Sequence, residues 1–330
     1  MHITIETLVE PQPGPRWQER FQALWPKYRK WYLAEGYEAR PTYFECERAM
    51  HRHMPEFVPA WEQLVELAGG GDLEARFLSL YRPPPYLTGC SQAVWSREGD
   101  ERLLVRNYDY SPHLFEAMIW RTAWNARPVI AVSDCLIGAL DGINDAGLAV
   151  SLNFGGAKDV GDGFGAPMVL RYLLEFCSTV NEAARVLRRI PIHMAYNILL
   201  LDRNGDYLTA FTSPGKPTIL HRIAASTNHQ DRIAWPRHAE ATATLDRERR
   251  LYEMIHDRGM TQDLFIASFL QPPLFQTHYD RGYGTLYTAV YRPTSGRADY
   301  HWLNQNLSLG LTDFVEQSVT ADLREPSAPL

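Results

Sequence analysis

Three consecutive prolines, Pro83, Pro84 and Pro85, divide the chain into two stretches with different hydrophobic periods. Proline fixes φ, lacks a backbone N–H and pushes the preceding residue out of the helical region, so neither a helix nor an inner strand runs through such a triplet. Before it, apolar residues recur every three or four positions. Trp17, Phe21, Leu24, Trp25, Tyr28, Trp31 and Tyr32 form an aromatic stripe on one helical face, which Pro26 is expected to kink or interrupt. Further helices are predicted over 42–53, 58–67 and 72–81, separated by Pro55 and the run Gly69-Gly70-Gly71.

After the prolines the period becomes two. Segments 92–96 and 103–108 flank REGDE as a hairpin, and 129–132, 138–141 and 148–154 continue the alternation around NDAG. A meander follows over 196–201, 206–212 and 218–221, punctuated by DRNG and SPGKP, and a last hairpin joins 285–291 to 298–302. Helices fall between these groups. Pro167 suits a first helical turn leading to Cys177, Thr179 and Glu182 have capping-box spacing, and 245–256 and 261–270 form a later pair. Runs of strands alternating with runs of helices predict an α+β chain with helices packed on largely antiparallel sheets.

The 330 residues suffice for a large core without covalent staples. Thirty-three Lys and Arg against thirty-nine Asp and Glu give a net charge of -6, which removes the electrostatic basis for a nucleic-acid partner. No stretch approaches eighteen apolar residues, so no membrane span is expected, and the first fifteen residues lack the pattern of a secretory signal. Cys46, Cys90, Cys135 and Cys177 are widely spaced with no CxxC pair, which fits a reducing, cytoplasmic address and no structural zinc.

Cys90, in TGCSQAVW, stands at the junction of the two stretches and at the head of a predicted strand. Scission of the Gly89–Cys90 bond gives this residue both a thiol and a free α-amine, whose ordinary pKa near 8 suits a general base at neutral pH. One residue then supplies nucleophile and base. Gly89 offers an unhindered carbonyl and permissive torsions for attack by the neighbouring thiol. Arg106, Asn107 and Asp109, in RNYDY, close the hairpin that Cys90 begins, which returns them beside the thiol. The bland reading of Cys90 is a buried small hydrophobe, and that of Arg106 and Asp109 a surface ion pair.

Gly89-Cys90, Arg106 sixteen and Asp109 nineteen residues beyond the cysteine, NDAGLAVSLNFGG, and STNH form an ordered set. This set resembles the penicillin acyltransferase branch of the N-terminal nucleophile hydrolases, and the related choloylglycine hydrolases share the pattern. The resemblance covers 90–330 and implies a four-layer αββα sandwich. It also implies a helical leader, 1–89, that becomes a separate subunit after self-cleavage, with 90–330 as the catalytic subunit. By this resemblance Cys90 is the nucleophile and its own amine the base, while Arg106 and Asp109 hold thiol and amine. Asn153 helps build the oxyanion hole, and Asn228 positions the amine or the oxyanion. Arg247 matches the arginine of a Ser-Arg pair, with Asp246 standing where the family carries serine.

The expected activity is cleavage or transfer of an acyl group at a linear carbon–nitrogen amide through a thioester. No metal or redox cofactor is needed. The partners implied are a small N-acyl amide, acyl-coenzyme A as a possible donor by resemblance only, and the chain's own cleaved fragment. Two alternatives stay open: a non-enzymatic binding relative of the same fold, and a papain-like pairing of Cys90 with His229. GDGFG at 161–165 reads as a flexible loop bordering the substrate pocket, and Cys46, Glu47, His51 and His53 as one solvated helix face.

Overall fold

The computed structural model describes residues 1–86 and 89–323, so Thr88 of the TGC motif lies outside the described residues. The chain opens with a strand, β1 (His2–Val9), followed by helices α1 (Pro15–Tyr32), α2 (Tyr43–His53), α3 (Val58–Leu67) and α4 (Asp72–Leu78). Strands β2 (Gly89–Trp95), β3 (Leu103–Tyr110), β4 (Met118–Thr122), β5 (Val129–Asp134), β6 (Gly138–Asn144) and β7 (Ala149–Phe154) come next. Helices α5 (Ala166–Phe176) and α6 (Val180–Arg189) lead to β8 (Tyr196–Leu201), β9 (Tyr207–Thr212), β10 (Ile219–His221) and β11 (Ala225–Ser226). The chain ends with α7 (Pro236–Ala241), α8 (Thr244–His256), α9 (Gln262–Ser268), β12 (Gly284–Arg292), β13 (Arg297–Trp302), β14 (Gln305–Gly310) and β15 (Gln317–Asp322).

Among the described residues the strands form two sheets. The larger runs β10-β9-β8-β7-β6-β5-β4-β1-β15 and the smaller β11-β2-β3-β12-β13-β14. The core divides into three apolar clusters that fix the layering. Trp17, Phe21, Trp61, Leu170 and Leu174 pack on the outer face of the larger sheet. Cys90, Tyr108, Ile130, Leu199 and Tyr287 fill the space between the sheets, and Leu251, Phe265 and Phe269 cover the outer face of the smaller one. Helix, sheet, sheet and helix therefore stack as the expected four layers.

The first eighty-nine residues are not wholly helical. β1 sits inside the larger sheet, antiparallel to β15 and parallel to β4, with Ile3 and Ile5 buried. The alternation of Ile3, Ile5 and Thr7 carried that signal. α1 runs unbroken through Pro26 to Tyr32, because Pro26 lies on the exposed side, where the carbonyl freed by its missing N–H faces water. α2 begins as its capping box dictates, with Thr42 accepting from the Glu45 N–H and Glu45 accepting from the Thr42 N–H. Cys46 on that helix is buried, its thiol pushed up to about 11 by desolvation, so the 46–53 segment is not a uniformly solvated face. GDGFG is tied down: Phe164 is fully buried and bridges to Tyr81 and Ile192. The segment borders a cleft lined by Arg40, Arg82 and His193.

Candidate active site

The β2–β3 hairpin places the predicted residues. Its register sets Cys90 opposite Tyr108 and Gln92 opposite Arg106, with all four side chains on the face that looks toward the larger sheet. Gly89 lies opposite Asp109, on the other face. Cys90, Arg106, Asp109, Asn153 and Arg247 are all 0% exposed, and Asn228 is 1% exposed. The surface ion-pair reading of Arg106 and Asp109 is thereby replaced by a buried polar network.

Arg106 donates through Nη2 to the Cys90 sulfur at 3.2 Å and through Nη1 to the Leu140 carbonyl at 2.8 Å and Asp141 Oδ2 at 2.5 Å. Asp141 belongs to the larger sheet, so the Arg106–Asp141 pair bridges the two. Its carboxylate also accepts from the Tyr287 hydroxyl at 2.6 Å and from that of Tyr291. A guanidinium so fixed cannot swing away from the sulfur, and a cation donating to sulfur stabilises negative charge there.

A second arginine works from below. α8 delivers Arg247, whose guanidinium donates to the Cys90 carbonyl at 2.6 Å, Ser91 Oγ at 2.9 Å, Asn228 Oδ1 at 2.7 Å and the Thr242 carbonyl at 2.7 Å. Asp246, the departure from the family pattern, points outward to Arg249 and takes no part in this network. Asn228 Oδ1 also accepts from the Cys90 N–H at 2.9 Å, and its Nδ2 donates to the Phe154 carbonyl at 3.1 Å. Asp109 Oδ1 accepts from Thr285 Oγ1 at 2.7 Å, while Oδ2 accepts no hydrogen bond among the described residues and faces Arg247 at 3.6 Å. Burial pushes the Asp109 carboxyl up to about 6, against the opposing pull of Arg247, Thr285 and Arg106.

Asn153 stands next to Phe154, but its Nδ2 donates to the Ser226 carbonyl at 3.0 Å. His229 has both ring nitrogens occupied, Nδ1 near the Thr227 and Thr244 hydroxyls and Nε2 at 3.3 Å from Glu248. Nothing in that arrangement favours a papain-like pair.

Sequence reasoning missed Asp141, Tyr283 and Tyr287. Asp141 left a trace as the one acid in the apolar strand GALDGIN. Tyr283 left none. Its hydroxyl has no hydrogen-bond partner among the described residues, and a Cβ added at Gly89 would lie 1.8 Å from it. Gly89 itself takes an ordinary strand conformation opposite Asp109, so the position needs glycine for this close approach and not for its torsions.

Two face-to-face sheets between helical layers thus hold a buried, arginine-bound cysteine near the head of β2. The profile of the family "Acyl-coenzyme A:6-aminopenicillanic acid acyl-transferase" matches residues 95–307, more than half of the chain, and the protein belongs to that family. The chain is similar to penicillin V acylase from Agrobacterium tumefaciens, at 16% identity and TM-score 0.48 over 68% of this chain and 86% of that one. It is also similar to a mutant of conjugated bile acid hydrolase from Clostridium perfringens, at 12% identity and TM-score 0.48 over 73% and 100%. A Caenorhabditis elegans ortholog of N-acylethanolamine-hydrolyzing acid amidase gives 12% identity and TM-score 0.41 over 62% and 93%. No curated protein sequence matches the chain. Among the described residues no helix is long and apolar enough to cross a membrane.

Proposed function

We propose that the protein is a self-processing N-terminal cysteine amidohydrolase or acyltransferase. The observation that carries the reading is the double hold on Cys90: its sulfur on Arg106 and its backbone N–H on Asn228 Oδ1, directly after Gly89. In self-cleavage the Cys90 sulfur bonds to the Gly89 carbonyl carbon, the C–N bond breaks and the amide nitrogen leaves as the Cys90 amine. Water then opens the thioester, giving a Gly89 carboxylate and the free thiol. The new amine sits on Asn228 Oδ1, and removal of Gly89 opens the space between Tyr283 and the unsatisfied Oδ2 of Asp109. An ammonium there meets two acceptors.

In turnover the amine takes the thiol proton, the sulfur attacks the substrate carbonyl, and the ammonium protonates the leaving amine. Water or a second amine resolves the thioester, and acyl-coenzyme A is an alternative acyl donor. The amide groups of Asn153 and Asn228 serve the oxyanion once the cut frees the strand end. The 1–89 fragment stays bound, because β1 remains hydrogen-bonded between β4 and β15. The reading includes a cytoplasmic address, supported by the wide spacing of the four cysteines.

The test is the chain composition of purified protein. Wild type is expected to run as fragments 1–89 and 90–330, with Cys90 as a new N-terminus, and Cys90→Ala as one chain. A wild-type chain that stays whole and carries an unreactive Cys90 overturns the reading.

A further inference from the structure

A cavity of about 370 Å³ lies between α1, the segment after β3 and the β5–β6 turn. Tyr108 connects it to the Cys90 strand. Tyr108, opposite Cys90 in the hairpin, packs its ring at a tilt against Tyr110 and Phe115, with centroids 5.7 Å and 5.8 Å apart, and both of these line the cavity. Tyr28, Trp31 and Tyr86 complete an aromatic wall, with Tyr86 four residues before Cys90. Two carboxyls face the same space, Glu116 and Asp134.

Glu116 is held chiefly through one oxygen, with the Ser133 side chain also against its carboxyl. Oε1 accepts from the Tyr28 hydroxyl and from the Leu136 N–H at 2.8 Å, whereas Oε2 is shut off from solvent and accepts no hydrogen bond among the described residues. Burial and the neighbouring Glu116 push Asp134 up to about 8. Lys27 is the cationic residue on the lining, and it stands on the exposed side of α1 with its ammonium on the His113 carbonyl. The remaining titratable groups on the lining are the tyrosines and Cys135. A space walled by aromatic rings, with two acids against a single lysine on its lining, attracts a positive charge by ring quadrupoles and by carboxylate together.

We propose that the substrate is an amide bearing an aliphatic ammonium group, and that this group enters the cavity and lies between Glu116 and Asp134 among the aromatic rings. This rests on the amidase reading above. It names the substrate class that the site selects and makes Glu116 and Asp134 its specificity determinants. The occupied cavity holds both acids as carboxylates, so binding releases a proton from Asp134 to the buffer.

Two measurements test it. Cut wild-type protein is given matched pairs of amides, with an ammonium in the acyl part or in the amine part, each beside an isostere carrying methyl in its place. The ammonium member of at least one pair is expected to show at least tenfold higher kcat/KM, and Asp134→Asn to bring that ratio close to one. Glu116→Gln serves as a second variant, each variant being checked for folding by its thermal midpoint. Calorimetry with 2-phenylethylammonium against 2-phenylethanol reads the same preference without turnover, with proton release that Asp134→Asn abolishes. Equal or better turnover of the methyl isosteres in both pairs overturns the proposal, as does a ratio that Asp134→Asn leaves unmoved. If 2-phenylethylammonium binds in the Asp134-dependent way while no amide is turned over, the amidase reading fails and the cation site stands.

Discussion

Replacing Gly89 by alanine probes how closely the uncut junction is held. The strand backbone at this position accepts alanine, so the nearest obstacle among the described residues is the ring above it. The new Cβ would lie 1.8 Å from the Tyr283 hydroxyl, 2.7 Å from Cζ and 3.0 Å from Cε2. Carbon–oxygen contact needs roughly 3.4 Å, so ring and strand must part by about 1.5 Å. Overpacking of this kind costs about 1–3 kcal/mol. Where the strand yields, the Gly89 carbonyl moves away from the Cys90 sulfur, and a misplacement of about 1 Å is enough to slow a reaction ~100-fold. Self-cleavage of Gly89→Ala is therefore expected to be about 10- to 100-fold slower than wild type, followed by intact mass after synthesis from a pulse of message. Adding Tyr283→Ala should restore the rate. Adding Tyr283→Phe should restore it only in part, because Cζ and Cε2 still crowd the methyl. Cleavage of Gly89→Ala at the wild-type rate, or a defect that Tyr283→Ala does not relieve, refutes the reasoning.

Other expectations follow from the buried network. In Cys90→Ala, locked uncut, Asp109 binds its proton more tightly folded than unfolded. Its contribution to stability is thus full below about pH 4 and lost as pH rises through about 6, a change of at most about 3 kcal/mol. Urea midpoints across that range should show the loss, and Asp109→Asn in the same background should flatten it. Arg247→Met removes the guanidinium that donates to the Cys90 and Thr242 carbonyls, Ser91 Oγ and Asn228 Oδ1. It should cost about 3–5 kcal/mol and stop self-cleavage, read by chemical denaturation and by gel. Asp141→Leu strands the Arg106 guanidinium between the sheets, with a similar expected loss in denaturant midpoint. An unchanged midpoint for Asp141→Leu contradicts the bridging role given to that pair.

Much of this was legible in the chain because it is local. The alternation around Cys90 and RNYDY dictates a hairpin, and a hairpin fixes which side chains share a face, so Cys90 and Arg106 meet as the spacing implies. The caps at Thr42, Thr179 and Thr261 start α2, α6 and α9 where side-chain chemistry places them. What spacing cannot reveal is which face of one sheet meets which face of another. Asp141 becomes the anchor of Arg106 only because the sheets stack, and Tyr283 closes on Gly89 across nearly two hundred residues. β4, β11, β14 and β15 escaped because they are short, two to six residues, and are held by neighbours in the sheet. Asn153 shows the converse: it adjoins Phe154, whose carbonyl Asn228 holds, yet its own amide donates to the Ser226 carbonyl.

The placement of β1 bears on how the protein can be made. A gene that starts at Cys90 yields a chain whose β4 and β15 face an empty lane, with two rows of bare amides and the sockets of Ile3 and Ile5 open to water. Such edges invite stray strands. Producing residues 90–330 therefore calls for translating both pieces together, and a synthetic peptide of the opening segment is the natural reagent for rescuing a truncated preparation.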